Sequence, residues 1–173
     1  MASAHPALAR QIGELCRIEG EFQLRSGTTA TTYFDKYLFE SDPAILRTVA
    51  TELTQLVPDD IEVLAGLELG GVPVATALSL TTGLPAAFVR KVAKPHGTAK
   101  LAEGASIDGR KVLVVEDVIT TGGQVAESTR ELRHRGAEVS RVLCVIDRSG
   151  GDHQVLDDEG IEVISLFSAA ELG

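Results

Sequence analysis

The stretch that most constrains this chain is residues 112–124, VLVVEDVITTGGQ. Val112 to Val115 are four consecutive apolar residues, three of them β-branched, and they read as a buried strand. The run stops at two carboxylates, Glu116 and Asp117, which this reading places at the strand end, where they surface. Val118, Ile119, Thr120, Thr121, Gly122 and Gly123 follow, and then a helical pattern from about Gln124 to Arg135, closed by Gly136. The order is strand, acidic pair, hydroxyl-and-glycine loop, helix.

That order suits one kind of chemistry. Two glycines let the backbone turn tightly and aim several N–H groups at one point, two threonines add hydroxyl donors, and the helix contributes the positive end of its dipole. Together they would hold a phosphate. The carboxylates would repel that phosphate but can accept hydrogen bonds from sugar hydroxyls or orient a hydrated Mg2+. A sugar phosphate is therefore the implied ligand. A Walker loop is excluded because Gly123 is followed by Gln124 rather than lysine, and no G-x-G-x-x-G fingerprint is present. Composition alone also allows a plainer reading, an acidic strand cap followed by an ordinary turn.

The stretch as a whole resembles the phosphoribosyl pyrophosphate (PRPP) signature of the type I phosphoribosyltransferases, and E-D-V-I-T-T-G-G resembles its form in the orotate members of that family. The resemblance implies ribose contacts for Glu116 and Asp117, with Asp117 among the catalytic residues. It implies PRPP contacts along Val118, Ile119, Thr120, Thr121, Gly122, Gly123 and Gln124, with Thr120 also near the base.

The length of 173 residues suits a single domain spanning 1–173, with residues 1–40 as an amino-terminal hood and 42–173 as the core. A net charge of -9 argues against general attraction to nucleic acid or anionic lipid. Cys16 and Cys144 form no C-x-x-C pair and read as reduced thiols of a cytoplasmic protein. The apolar stretch Val72 to Leu84 is too short to span a bilayer, so no membrane association is expected.

Along the chain, apolar spacing from Pro6 to Ile18 predicts a helix ended by Gly20. Phe22 to Arg25 and Thr31 to Tyr37 read as two short strands around Ser26-Gly27. Tyr33 and Phe34 lie in a segment holding five of the seven aromatic residues, either a small satellite core or a wall for a flat ring. FQLRSGTTATTYFDKYLFESDP resembles the hood of orotate phosphoribosyltransferases, which implies orotate contacts for Arg25, Tyr33 and Phe34, although TTATT departs from the commoner Ser and Pro pattern.

Asp42 before Pro43 is an N-cap and N1 pair, and the apolar face from Ile45 to Val57 predicts a helix up to Pro58. A strand from Ile61 to Ala65 then leads through Gly66-Leu67-Glu68-Leu69-Gly70-Gly71 into a helix near Pro73. Two glycine loops at carboxyl ends of strands in one sheet would face the same ligand. By resemblance the second is the pyrophosphate loop, with Gly70 and Gly71 contacting PRPP; many orotate enzymes carry lysine where this chain has Gly70.

Residues 84–90 read as a strand. Beyond them Arg90, Lys91, Lys94, His96 and Lys100 fall in a segment free of acids and interrupted by Pro95 and Gly97, which reads as a loop for an anionic partner. Its R-K-x-x-K-x-H-G spacing resembles the catalytic lid of orotate phosphoribosyltransferases. That implies PRPP contacts for Arg90, Lys91, Lys94 and His96, catalytic roles for Lys94 and His96, and a homodimer whose lid closes over the neighbouring subunit's site. Val139 to Asp147 and Ile161 to Phe167 read as the last strands. Arg148 matches a family position that contacts orotate. His5, His134 and His153 show no metal-like spacing and read as surface histidines.

Alternating strands and helices from Asp42 onward predict a parallel α/β sheet with helices on both faces and a small amino-terminal hood. With the resemblance, they imply a reaction of orotate and PRPP with Mg2+ carried by PRPP and water near Glu116 and Asp117, and no direct metal ligand from the protein. The competing readings are transfer to a different base and a non-catalytic PRPP sensor.

Overall fold

The computed structural model describes residues 5–23, 27–91 and 101–173. Its elements are α1 (Pro6–Cys16), β1 (Arg17–Gln23), β2 (Thr29–Phe34), α2 (Tyr37–Ser41), α3 (Pro43–Thr54), β3 (Val63–Leu67), α4 (Gly71–Thr82), β4 (Ala86–Val89), β5 (Ala102–Gly104), β6 (Lys111–Ile119), α5 (Gly123–His134), β7 (Glu138–Asp147), α6 (Gln154–Asp157) and β8 (Glu162–Ser168), with a closing 3-10 turn at Ala169–Leu172. The main sheet has the order β5-β4-β3-β6-β7-β8, and β1 and β2 form a separate antiparallel hairpin. Every pairing in the main sheet is parallel except that of β4 with the edge strand β5.

The apolar runs fill two layers because successive strand residues point to opposite faces. Leu64, Leu113, Val115, Leu143 and Val145 meet residues of α1, α3 and α4 on one face. Val63, Ala65, Val112, Val114, Val142 and Cys144 meet Val125, Ala126 and Leu132 of α5 and Leu156 of α6 on the other. A strand buried on both faces has to be apolar at consecutive positions, which is why Val112 to Val115 show no alternation. Asp42 caps α3 as expected, accepting hydrogen bonds from the Ala44 and Ile45 amides at 2.9 and 3.0 Å.

Several sequence expectations need correcting. The first helix ends at Cys16, and Gly20 lies inside β1 rather than closing a helix, because Arg17 is already extended and pairs with Phe34. The second hairpin strand stops at Phe34, and Tyr37–Ser41 form a short helix instead of strand. Its Phe39 is fully buried in the core, and tertiary packing overrides the β-preference of the local aromatics. The acidic pair does not surface at a strand end either. Pairing of β6 with β3 stops at Val115, but pairing with β7 runs on to Ile119, so Glu116 and Asp117 lie within the strand. His153 and His5 are each engaged, with Asp147 at 2.9 Å and Glu52 at 2.8 Å. No helix among the described residues is long and apolar enough to cross a membrane.

Candidate active site

The overhang of β6 beyond β3 is where the acidic pair meets the loop that opens α4. α4 starts against it: a Cβ on Gly71 would lie 2.3 Å from the Val115 carbonyl oxygen, so only glycine lets this helix begin so close to the strand. The second loop leaves Ile119 through the exposed Thr120 and Thr121 and enters α5 at Gly122, whose φ of 75° is left-handed. Both glycine loops therefore open at the carboxyl edge of the sheet, each into a helix of 12 residues with no acid in its first turn. Two positive helix ends facing one edge make a receptor for an anion with two phosphate groups.

Between them lies a buried acid cluster. Glu116 is 8% exposed and Asp117 is 0% exposed. The Asp117 amide donates to Glu116 Oε1 at 3.1 Å and the Val118 amide to Asp117 Oδ1 at 2.7 Å. Two residues absent from the sequence expectations complete it. Lys36 Nζ lies 2.6 Å from Asp117 Oδ2 as an ion pair, and Glu40 brings a third buried carboxyl beside them. Lys36 precedes α2 and Glu40 lies four residues later, which puts both on one helical face. The signal was present in Y-F-D-K-Y-L-F-E, masked by its aromatics.

Charge in this cluster is balanced by protons as well as by Lys36. Burial, then the bond to Asp117 and its charge, push Glu40 up to about 9, and the same causes push Glu116 up to about 9. Burial alone would raise Asp117. Hydrogen bonds from Glu40, Glu116 and Lys36 outweigh it and hold Asp117 below the ordinary aspartate value. Burial likewise pulls Lys36 down, but its partnership with Asp117 leaves the ammonium raised. These directions favour protons on Glu40 and Glu116 and charge on the Lys36–Asp117 pair.

The remaining predicted residues divide clearly. Ile119 is buried, and its carbonyl accepts from the Arg148 amide at 2.8 Å; Val118 packs against the core, so both offer a ligand backbone rather than side chain. Gln124 Nε2 donates to Ser128 Oγ within α5 at 3.2 Å. Arg90 keeps a buried Nε without a hydrogen-bond partner, and the Lys91 amide donates to Glu68 at 3.1 Å. Tyr33, Phe34 and Arg148 come together: the Arg148 guanidinium stands 5.5 Å over the Phe34 ring, and all three line a cleft of about 260 Å³. Arg25, Lys94 and His96 lie outside the described residues. A separate cleft at the opposite end of β6 and β7 is lined by Asp60, Lys111 and Arg141, whose charges pair with one another at 2.9 and 3.4 Å.

Two helix starts and an acid pair converging on one edge of a parallel sheet are the frame of a phosphoribosyltransferase. The model of the phosphoribosyl transferase domain matches residues 39–167, and the chain belongs to that family. Curated relatives place its likeness within the family. An orotate phosphoribosyltransferase of a Nocardioides species is 56% identical over 165 residues, 95% of this chain and 92% of that one. The Halobacterium salinarum orotate phosphoribosyltransferase is 43% identical over 153 residues, 88% of this chain and 87% of that one. Among solved structures, Mycobacterium tuberculosis orotate phosphoribosyltransferase in complex with inorganic phosphate superposes with a TM-score of 0.86 at 32% identity, over 98% of each chain. The same enzyme in complex with PRPP gives 0.83 at 31%, again over 98% of each.

Proposed function

We propose that this chain is an orotate phosphoribosyltransferase, converting orotate and PRPP to orotidine 5′-monophosphate and pyrophosphate in pyrimidine nucleotide synthesis. The observation that carries the reading is the buried Glu116–Asp117 pair set between two glycine-bounded helix starts, supported by relatives of that name over nearly the whole chain. Asp117 accepts hydrogen bonds from the ribose hydroxyls. The amides and hydroxyls of Thr120 to Gly123 hold the 5′-phosphate, and the start of α4 at Gly70 and Gly71 receives the diphosphate. Tyr33, Phe34 and Arg148 supply aromatic faces and a cation for a flat anionic base, and the family resemblance adds Arg25 and Thr120 to the orotate contacts.

Cleavage of the C1′–oxygen bond leaves a ribosyl cation and a departing diphosphate that gains negative charge, so the enzyme's work is electrostatic and positional. Arg90, Lys91 and Lys94 neutralise that charge, with His96 as proton donor. Orotate attacks through its deprotonated ring nitrogen, and no protein nucleophile is needed. Mg2+ supplies further neutralisation of the diphosphate when bound. The buried Glu116–Asp117 pair fits contact with the ion through water rather than direct ligation.

The reading also takes the protein to be a cytoplasmic homodimer whose lid serves the neighbouring site. Loss of orotate absorbance with PRPP and Mg2+ tests the reaction. Lys94→Ala should lower kcat roughly 100-fold, and Asp117→Asn should weaken PRPP use. Mixing these two variants should restore activity in hybrid dimers if the lid is shared; no recovery would assign each lid to its own subunit. Unchanged orotate in the complete mixture would sink the function.

A further inference from the structure

Position 70 raises a question that the free protein answers. A Cβ at Gly70 would lie 1.8 Å from Asp117 Oδ2 and 2.8 Å from Glu40 Oε1, so no side chain can extend from the start of α4 without displacing those acids. The cation at this spot comes from elsewhere in the chain: Lys36 Nζ stands 2.6 Å from that same Oδ2. The ammonium is therefore held at the mouth of the α4 N-terminus, where a diphosphate would sit, and the Lys36 side chain is 34% exposed while Asp117 is 0%. Lys36 covers the carboxylate that the proposed reaction needs for ribose.

We propose that Lys36 is a further residue of the PRPP site. It neutralises Asp117 in the free protein and transfers its ammonium to the diphosphate when the ribose hydroxyls reach that carboxylate. The exchange conserves charge pairing: the aspartate gains hydroxyl donors and the lysine gains a stronger anion. A flexible four-carbon stem lets the ammonium move without shifting α2. Burial opposes the charge on Lys36, but its partnership with Asp117 outweighs that and favours the ammonium. This role rests on the PRPP reading above and adds a residue to it.

The test compares two ligands that share the ribose and 5′-phosphate but differ in the diphosphate. PRPP with Mg2+ and ribose 5-phosphate are titrated calorimetrically into the full chain, as wild type, Lys36→Met and Lys36→Arg. We expect Lys36→Met to lose roughly 10-fold or more in PRPP affinity, the scale of one charge-assisted contact. Ribose 5-phosphate should bind as well as before or better, because it no longer has to displace an ammonium. Lys36→Arg should retain most of the PRPP affinity. A purely structural role would weaken both ligands by the same factor, and that result, or no change in either, overturns the proposal. If Lys36→Met fails to fold, Lys36→Met/Asp117→Asn removes both charges. Its PRPP to ribose 5-phosphate affinity ratio must then fall below that of Asp117→Asn alone, and an equal ratio refutes the role. Wild-type protein that binds neither ligand would overturn the PRPP reading itself, and this proposal with it, which separates the two failures.

Discussion

Gly70→Ala is a one-methyl probe of the acid cluster. Gly70 has φ -69° and ψ -29°, ordinary right-handed geometry, so alanine meets no backbone strain there and would normally stabilise by about 0.4–1 kcal/mol through the unfolded chain. Contact reverses the sign. The new Cβ would lie 1.8 Å from Asp117 Oδ2 and 2.3 Å from its Cγ, where real Cβ contacts stay beyond 3.0 Å. Asp117 is short, fully buried and tied to Lys36, so its carboxylate has to leave that pairing. Removing one partner of a buried ion pair costs about 3–5 kcal/mol; displacement with imperfect re-pairing should cost roughly half that. Net destabilisation should be about 1–2 kcal/mol, lowering Tm by roughly 3–8 °C for a chain of this size. The assay is thermal unfolding of ligand-free protein. Gly123→Ala serves as control, because its Cβ would meet only Thr121 Oγ1 at 3.8 Å. In an Asp117→Ala background the closer obstruction is gone and only Glu40 Oε1, 2.8 Å from the new Cβ, remains, so Gly70→Ala should then cost clearly less, a coupling of about 1 kcal/mol. A Tm within about 1 °C of wild type, or an equal drop in both backgrounds, would refute the packing argument.

Two further outcomes follow from the same site. Glu40 and Glu116 are pushed up from their ordinary value of 4.5 to about 9. Carboxyls that hold protons more tightly when folded contribute stability below pH 4.5 and lose it as pH rises through about 9. Asp117, held low, acts only on the acid side of this window. Ligand-free protein should therefore melt at a higher temperature at pH 6 than at pH 9, and Glu40→Gln should narrow the difference; a Tm that holds or rises from pH 6 to 9 contradicts the assignment. Separately, Arg148→Leu should raise the KM for orotate by roughly 3–30-fold, the range of a cation–π and charge contact, with KM for PRPP nearly constant. Equal effects on both substrates would remove Arg148 from the base site.

How much of this could be read from the chain depends on how local each cause is. The continuous apolar run at Val112 and the Asp42-Pro43 helix start were legible because burial on both faces and N-capping each leave a mark within a few residues. β5 left none: Ala102–Gly104 is a strand only because β4 lies beside it. α2 was hidden for a related reason, since five residues with β-prone aromatics become helical when Phe39 seats in the core between α1 and α3. The acidic pair was found by motif, but its burial was not, because that depends on β7 outlasting β3 as a partner. The helical spacing of Lys36 and Glu40 is masked by the aromatics around it, and their partner is an aspartate some eighty residues away.

The unequal lengths of β3 and β7 beside β6 have a consequence of their own. Past Val115 the strand has a neighbour on one side only, and the Asp117 and Val118 amides bond to the carboxyl oxygens of the residues just before them. The carboxyl groups that tie down this backbone are the same ones a sugar would recruit. Local rigidity and recognition thus compete for one small set of acceptors. A sequence that bound its own strand more firmly here would be a sturdier protein and a poorer receptor.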